Sequence, residues 1–199
     1  MYQIFISRAK YCILCLLFLL ISIPFAISQN GLKIIDKTVN FGMRTVENRK
    51  INAVIIHSVF NNLGGDKYDV DLVIQQFMHY RVSSHYIIGR EGNIYSLVNE
   101  KNIAFHAGRS QLPNGQTNLN ATTIGIELVT SFDDAPTVEQ IKSLTLLVKD
   151  IRKRYKIDYV LRHSDIAPGR KTDPWNMDWD DFLKRIDSPS VSNNNIKTN

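Results

Sequence analysis

The chain has 199 residues, of which 44% are hydrophobic and 22% are charged, and its formal net charge is +5. These values are typical of one globular domain that is long enough to bury a substantial core. So small a net charge, with no basic stripe interleaved with aromatic residues, argues against a nucleic-acid partner. We expect a monomeric domain that does not bind nucleic acid.

The first 28 residues have the pattern of an export signal. Arg8 and Lys10 precede a continuous apolar run at residues 11–25, and a small-x-small sequence follows at residues 26–28. These are the parts of a secretory signal peptide. The alternative is an uncleaved membrane anchor, but the run is short for a membrane span. We predict a signal peptide at residues 1–28, export to the periplasm, cell envelope or medium, and no stable membrane span after cleavage.

Both cysteines of the chain, Cys12 and Cys15, lie inside that apolar run. Because they lie within the run and not just after it, a lipoprotein is disfavoured. A mature chain that begins after residue 28 would contain no disulfide and no nucleophilic thiol. Its catalysis would depend on histidines, carboxylates, lysines, hydroxyls or a metal.

The rest of the chain alternates short apolar runs with amphipathic segments, which predict strands and helices respectively. Residues 29–49 are polar and mixed and indicate an irregular N-terminal arm, and residues 188–199, rich in Ser and Asn, indicate a disordered tail. Between them we predict, in chain order, a strand at 51–56, a helix at 69–80, a hairpin over 84–98, a strand at 123–129, a helix at 137–155, a strand at 159–162 and a helix at 178–186.

This alternation of strands and helices predicts an α/β fold for residues 50–187. We expect a single domain with a central mixed β-sheet flanked by helices. A long polar loop at residues 109–120 interrupts the pattern, and loops of that length in a compact domain are often functional. In such folds, ligands bind at the carboxyl ends of the strands.

Residues suited to chemistry concentrate at 161–175, directly after the last predicted strand. His163 and Asp173 are possible metal ligands, Lys171 lies two residues before Asp173, and the prolines and glycine of this stretch indicate an irregular loop. His57 also follows a predicted strand, so we expect it beside His163. Two nitrogens and one oxygen form a candidate zinc site of the catalytic kind. The alternative is that the histidines are hydrogen-bonded structural residues.

Glu127 and Lys171 are the candidate catalytic residues. Glu127 interrupts a very apolar strand, where a carboxylate is costly unless it is paired or functional. Near a metal it would serve as a general base to water, and Lys171 would stabilise the oxyanion of a tetrahedral intermediate. The alternatives are a salt bridge or an exposed strand end for Glu127, and a solvated loop charge for Lys171.

Six segments resemble the type 2 N-acetylmuramoyl-L-alanine amidases, a family that shares its fold with phage amidase-type lysozymes and peptidoglycan recognition proteins. They fall within residues 50–187, and the last of them is the most specific. In order, the segments are Val54-Ile55-Ile56-His57, Ser83-Ser84-His85-Tyr86-Ile87-Ile88, Gly92-Asn93-Ile94-Tyr95, Phe105-His106-Ala107-Gly108, Ile124-Gly125-Ile126-Glu127 and His163-Ser164-Asp165-Ile166-Ala167-Pro168-Gly169-Arg170-Lys171-Thr172-Asp173-Pro174.

The resemblance implies a zinc site and an active site. His57, His163 and Asp173 would bind Zn²⁺. Glu127 and Lys171 would take the catalytic roles described above.

The resemblance also concerns the substrate groove. It implies that His106 lies in this groove. Arg109, or alternatively Arg81, is a candidate to bind a carboxylate of the stem peptide, because arginine pairs bidentately with carboxylates. Some relatives assist catalysis with a tyrosine where this chain has Ser84, so that assistance falls to Glu127 or is absent.

The expected function is therefore that of a zinc-dependent N-acetylmuramoyl-L-alanine amidase. It would hydrolyse the amide between N-acetylmuramic acid and the L-alanine of the stem peptide, in peptidoglycan or in muropeptides. One alternative is a non-catalytic muropeptide-binding module on the same fold. It is disfavoured because such relatives typically lose zinc ligands, whereas this chain keeps all three candidates. A second alternative is a zinc hydrolase on this fold that cleaves another amide.

Overall fold

The computed structural model describes residues 32–189. The predicted signal peptide, and residues 190–199 of the predicted tail, lie outside the described residues. Within the described part, no helix has the length and apolar character needed to cross a membrane. The strands are β1 (Ile34–Asp36), β2 (Met43–Arg44), β3 (Ala53–Val59), β4 (Tyr86–Ile88), β5 (Ile94–Ser96), β6 (Ile103–Ala104), β7 (Thr123–Val129) and β8 (Tyr159–Arg162). The helices are α1 (Val70–Tyr80), α2 (Val138–Arg154), α3 (His163–Ile166) and α4 (Trp179–Asp187), and a 3₁₀ turn covers Leu119–Ala121.

Six of these strands form one sheet in the order β1-β5-β4-β7-β3-β8. The neighbours β4, β7, β3 and β8 are parallel to one another, whereas β5 is antiparallel to β4. Strands β2 and β6 form a separate antiparallel pair. The predicted α/β fold with a central mixed sheet is confirmed, as is the predicted hairpin, which is formed by β4 and β5.

The two faces of the central strands have different compositions. In β7, Ile124, Ile126 and Leu128 point to one face and belong to a core cluster that includes buried residues of α2 and α4. Because side chains alternate along a strand, the other face carries Thr123, Gly125 and Glu127. One face is therefore closed by apolar packing against α2 and α4. The other face also carries buried apolar residues, such as Ile55 and Val129, and among them a polar patch that includes Glu127.

Helix α2 begins where the sequence predicts. The side chain of Thr137 accepts a hydrogen bond from the Gln140 backbone N–H (3.1 Å), and the Gln140 side chain accepts one from the Thr137 backbone N–H (3.0 Å). This reciprocal pair satisfies two backbone donors that the first helical turn leaves free. The Gln140 amide also donates to the carbonyl oxygens of Ile88 and Val129 (3.0 Å each), which joins the start of α2 to β4 and β7.

The prediction of an irregular arm at residues 29–49 is wrong for its described part. Strand β1 lies at the edge of the main sheet, where Ile34 pairs with Ile94 of β5. Arg49 donates from Nη2 to the carbonyl oxygen of Thr123 at 2.5 Å, which ties the end of this segment to β7. A strand of three residues is too short to show alternation, and its partner is distant in sequence. Only tertiary pairing therefore defines it.

The stretch at 161–175 is also not wholly a loop. Helix α3 begins at His163, directly after β8, and the carboxylate of Asp165 accepts a hydrogen bond from the Arg162 backbone N–H (2.9 Å). One helical turn is too short to display helical periodicity in the sequence. The rest of the stretch, residues 167–175, is irregular as predicted.

A buried polar cluster joins α2 to the sheet. The Glu100 carboxylate is 8% exposed and accepts hydrogen bonds from the Tyr86 hydroxyl and from Nη2 of Arg154, both at 2.9 Å. Arg154 also donates from Nε to Asp150 (2.9 Å). Burial raises the pKa of Tyr86, and the adjacent Glu100 raises it further. The Tyr86 hydroxyl therefore stays protonated and acts as a donor to Glu100.

We predict that Glu100→Gln lowers the free energy of unfolding by about 1–3 kcal/mol, because the buried Tyr86 hydroxyl and the Arg154 guanidinium lose a charged acceptor. Urea denaturation followed by circular dichroism measures this change. The exposed Glu91 provides the control, since Glu91→Gln should change stability by less than about 0.5 kcal/mol. An unchanged denaturation midpoint for Glu100→Gln would contradict the prediction.

Candidate metal centre

His57 and Glu127 stand side by side on the face of the sheet opposite α2 and α4. Strands β3 and β7 are parallel, and their register pairs His57 with Glu127. Residues paired in this way point to the same face of the sheet. Only 2% of His57 and 8% of Glu127 is exposed. The sheet thus places an imidazole and a carboxylate together in a buried setting.

The structure brings the three candidate metal ligands together. Nδ1 of His57 lies 2.9 Å from Nδ1 of His163, which in turn lies 3.0 Å from Oδ2 of Asp173. The remaining separation, from Nδ1 of His57 to the same Asp173 oxygen, is 3.6 Å. One ligand atom from each residue lies within 4.8 Å of the others. All three residues are buried, at 5% exposure or less.

Backbone contacts hold Asp173 in this position although it lies on an irregular segment. Its carbonyl oxygen accepts a hydrogen bond from the Ser164 N–H of α3 (2.9 Å). Its carboxylate accepts one from the Ser58 N–H of β3 (3.4 Å), and the Trp175 N–H donates to the Ser58 hydroxyl (3.3 Å). Burial by itself would raise the pKa of Asp173, but the neighbouring His163 and His57 lower it overall. Asp173 is therefore ionised.

These three residues fit a zinc ion. Burial lowers the pKa of His57 to about 4, the neighbouring His163 lowers it further, and Asp173 opposes the shift only in part. His57 is therefore neutral at neutral pH and has a lone pair on one nitrogen. Lone pairs that converge in a buried space repel unless a proton or a cation lies between them. Two imidazole nitrogens and one carboxylate oxygen are a donor set that Zn²⁺ accepts in catalytic sites.

A cavity of about 220 Å³ opens beside the three ligands. Glu127 and Lys171 both line it, so the structure places the two candidate catalytic residues with the candidate ligands. Burial raises the pKa of Glu127 well above its ordinary value, the anionic Asp173 raises it further, and Lys171 opposes both. The remaining wall of the cavity is largely apolar and includes Phe77, Val82, Phe105 and Trp175.

The two candidate substrate-binding residues lie in different places. His106 lines the cavity beside the ligands, and both of its ring nitrogens have protein partners, His57 Nε2 (3.0 Å) and Thr123 Oγ1 (3.2 Å). Arg109 lines a second cavity, of about 280 Å³, together with Arg170. Nη2 of Arg170 donates to the carbonyl oxygen of Arg109 (2.7 Å). The structure thus does not bring Arg109 into the cavity of the metal site.

An aromatic cluster at the rim of the site has no counterpart in the sequence analysis. Trp175 and Phe132 have ring centroids 4.2 Å apart, and Phe60 lies 5.5 Å from Phe132. Phe132 is 59% exposed although it is a large apolar residue. The three rings come from separate segments of the chain. Nothing in the order of residues groups them, because their contact depends on tertiary structure.

Comparison with known proteins identifies the family. Residues 47–176 match the family model described as N-acetylmuramoyl-L-alanine amidase, and the chain belongs to that family. The resemblance seen in the sequence is confirmed. Among the curated relatives, the 1,6-anhydro-N-acetylmuramyl-L-alanine amidase AmpD of Haemophilus influenzae is 41% identical over 110 residues, which are 53% of this chain and 59% of that protein. The N-acetylmuramoyl-L-alanine amidase AmiD of Escherichia coli is 35% identical over 147 residues, 63% of this chain and 49% of that protein.

These matches span less than two thirds of the length of either relative. Among solved structures, a selenomethionine derivative of AmpD superposes with a TM-score of 0.64 at 27% identity, and the match covers 75% of this chain and 93% of that one. A complex of Escherichia coli AmiD with anhydro-N-acetylmuramic acid-L-Ala-D-γ-Glu-L-Lys superposes with a TM-score of 0.59 at 32% identity, covering 71% of this chain and 60% of that one. The fold is therefore that of the amidase family.

We predict that the purified protein binds one Zn²⁺ per chain and unfolds at a higher temperature when loaded. A ligand that binds only the folded state stabilises it by about 2.7 kcal/mol at one hundred times its Kd. Asp173→Ala should abolish most of this binding, because it removes one of three ligands. Equilibrium dialysis with elemental analysis, together with thermal unfolding, measures both effects.

The control for this prediction is His79→Ala. His79 is an exposed histidine on α1, away from the three ligands, so its loss should leave zinc stoichiometry unchanged. If Asp173→Ala kept the stoichiometry and thermal shift of the unmodified protein, the site would not be the one described here.

Proposed function

We propose that this chain is a zinc-dependent N-acetylmuramoyl-L-alanine amidase. It would hydrolyse the amide that joins the lactyl group of N-acetylmuramic acid to the L-alanine of the stem peptide. The observation that carries the proposal is the grouping of His57, His163 and Asp173 with Glu127 and Lys171 at one cavity. Membership of the amidase family supports the same substrate bond.

In this proposal His57, His163 and Asp173 hold the metal. Zinc, when bound there, supplies a Lewis acid that polarises the amide carbonyl and makes water more acidic. The apolar wall of the cavity lowers the local dielectric and strengthens each electrostatic contact inside it. Side chains of the protein then transfer the protons and stabilise the developing negative charge.

Glu127 takes a proton from the attacking water as the new carbon–oxygen bond forms. The carbonyl oxygen becomes an oxyanion, and the ammonium group of Lys171, which lines the same cavity, stabilises its charge. The carbon–nitrogen bond then breaks, and the proton held by Glu127 passes to the departing amine of L-alanine. The raised pKa of Glu127 makes its carboxylate a stronger base for the first step.

We assign a substrate-binding role to His106 and to Arg109 according to the cavity that each residue lines. We assign His106 to the part of the groove next to the reacting amide, where contact with substrate would use the ring and not its nitrogens. Arg109 would meet a carboxylate farther along the stem peptide, because it lines the second cavity.

The site of action in this proposal is the cell envelope or the medium. It rests on the basic and apolar N-terminal segment, whose small-residue sequence at 26–28 marks the expected cleavage point. Fractionation of expressing cells and N-terminal sequencing check this: recovery outside the cytoplasm with Gln29 as first residue is the expected result. A full-length chain confined to the cytoplasm would contradict it.

The main experiment is analysis of reaction products by mass spectrometry. We expect the zinc-loaded protein to release free peptides with an N-terminal L-alanine, and a chelator to abolish the release. Two substrates are needed, intact peptidoglycan and a soluble 1,6-anhydro-muropeptide, because the relatives include amidases named for the anhydro form. Bound but intact muropeptide would favour the binding-module alternative, and peptides cut at another bond would indicate a different hydrolase on this fold.

We further predict that Glu127→Gln and Lys171→Met lower kcat while zinc content stays unchanged. The expected losses are about 10²–10⁴-fold for the general base and about 10²–10³-fold for the oxyanion contact. Steady-state kinetics and metal analysis on the same preparations measure the two quantities. Glu91→Gln and Lys156→Met are matched controls at exposed positions outside the cavity and should retain activity. A binding module would show no such dependence on Glu127.

A further inference from the structure

A chain of hydrogen bonds runs from the backbone to the candidate ligand His57. The Thr123 hydroxyl donates to the carbonyl oxygen of Leu119 (2.8 Å) and lies 3.2 Å from Nε2 of His106. The other nitrogen of His106, Nδ1, lies 3.0 Å from Nε2 of His57. The remaining nitrogen of His57, Nδ1, is the one that faces His163 and Asp173. The Thr123 hydroxyl and both ring nitrogens of His106 therefore all have hydrogen-bond partners, and they connect the Leu119 carbonyl to His57.

The direction of each hydrogen bond follows from its neighbours. A carbonyl oxygen can only accept, so the single hydroxyl proton of Thr123 is committed to Leu119. The Thr123 oxygen must then accept a hydrogen bond from Nε2–H of His106. In a neutral imidazole the second nitrogen is an acceptor, so Nδ1 of His106 accepts from Nε2–H of His57. The proton of His57 thus lies on Nε2, and its Nδ1 carries the lone pair.

Two further contacts hold His106 in this position. Its backbone N–H and that of Ala107 both donate to the side-chain oxygen of Asn120 (3.0 and 2.8 Å). The imidazole ring lies directly over Gly125 of β7, where a β-carbon would come within 2.4 Å of the ring. A residue larger than glycine at position 125 would displace the ring. The fold therefore provides a fitted place for the histidine between Thr123 and His57.

We propose that His106 is a positioning residue for metal binding. Supported by Thr123, it holds His57 in the Nε2–H tautomer and in the orientation that presents Nδ1 to the metal. Outer hydrogen bonds of this kind orient metal-binding histidines and typically change metal affinity or activity by about 10–100-fold when removed. The inference rests on the zinc site of the proposed function and adds a role that differs from contact with substrate.

His163 provides an internal contrast. Its Nε2 is buried and has no hydrogen-bond partner among residues 32–189. Among the described residues, Nε2 of His57 is within hydrogen-bond distance of His106, whereas Nε2 of His163 has no such partner. The tautomer of His57 should accordingly be more strongly defined than that of His163.

The first test uses the metal-free, otherwise unmodified protein labelled with ¹⁵N. Long-range ¹H–¹⁵N spectra of histidine rings distinguish the two neutral tautomers. We expect His57 to be a single Nε2–H tautomer, and to become a mixture of tautomers in His106→Phe, which keeps a ring but no hydrogen-bonding nitrogen. A His57 mixture, or an Nδ1–H tautomer, in the unmodified protein would overturn the proposal even if the variant did not fold.

The second test measures zinc affinity by competition with a chromophoric chelator. His106→Phe should weaken binding by about 10–100-fold. Thr123→Val should weaken it in the same direction, because Nε2–H of His106 loses its acceptor, whereas Thr123→Ser should restore the affinity. Equal affinities for the unmodified protein and His106→Phe, or an equal loss for Ser and Val at position 123, would overturn the proposal. No substrate is used, so failure of amidase activity is distinguishable from failure of this inference.

Discussion

The close grouping of three potential metal-binding atoms in a buried region is the constraint on which the rest of the site depends. Two imidazole nitrogens and a carboxylate oxygen lie 2.9–3.6 Å apart in a region that is almost wholly excluded from solvent. Such a grouping is costly to bury because each atom loses hydration, although the Asp173 carboxylate accepts a hydrogen bond from the Ser58 N–H at 3.4 Å. A divalent cation bound there would bring the three atoms into favourable contact. The neutral state of His57 and the ionised state of Asp173 are the protonation states that a cation requires.

The sheet makes this arrangement possible because its two faces carry different side chains. The face against α2 and α4 is packed with aliphatic side chains and supplies the hydrophobic stabilisation. The opposite face of β3 and β7 can therefore carry His57, Glu127 and the small Gly125 without loss of the core. Parallel register sets His57 beside Glu127, and the absence of a side chain at Gly125 admits His106 between Thr123 and His57. The groups proposed for catalysis and for positioning thus lie next to one another on one face of the sheet.

Much of the fold could be predicted because its long elements carry strong local signals. The capping box of Thr137 and Gln140 and the apolar face of α2 are examples, and the structure has both. Strand β1 and helix α3 could not be predicted, because three residues of strand or one turn of helix have no measurable period. At the site, Glu127 was conspicuous as an acid within an apolar strand. Arg109 was singled out by charge alone, and charge does not indicate which cavity a side chain lines.

Residue types and local patterns are enough to show which groups are available for chemistry and which family the chain resembles. His57, His163, Asp173, Glu127 and Lys171 stand out because residue type and position after a strand are local properties. Three further features are visible only in the folded protein: the distances between these groups, the contact of His57 with His106, and the position of Arg109 at a second cavity. The physical reason is that hydrogen bonds and burial depend on parallel pairing between strands far apart in the chain. No pattern within a single segment records that pairing.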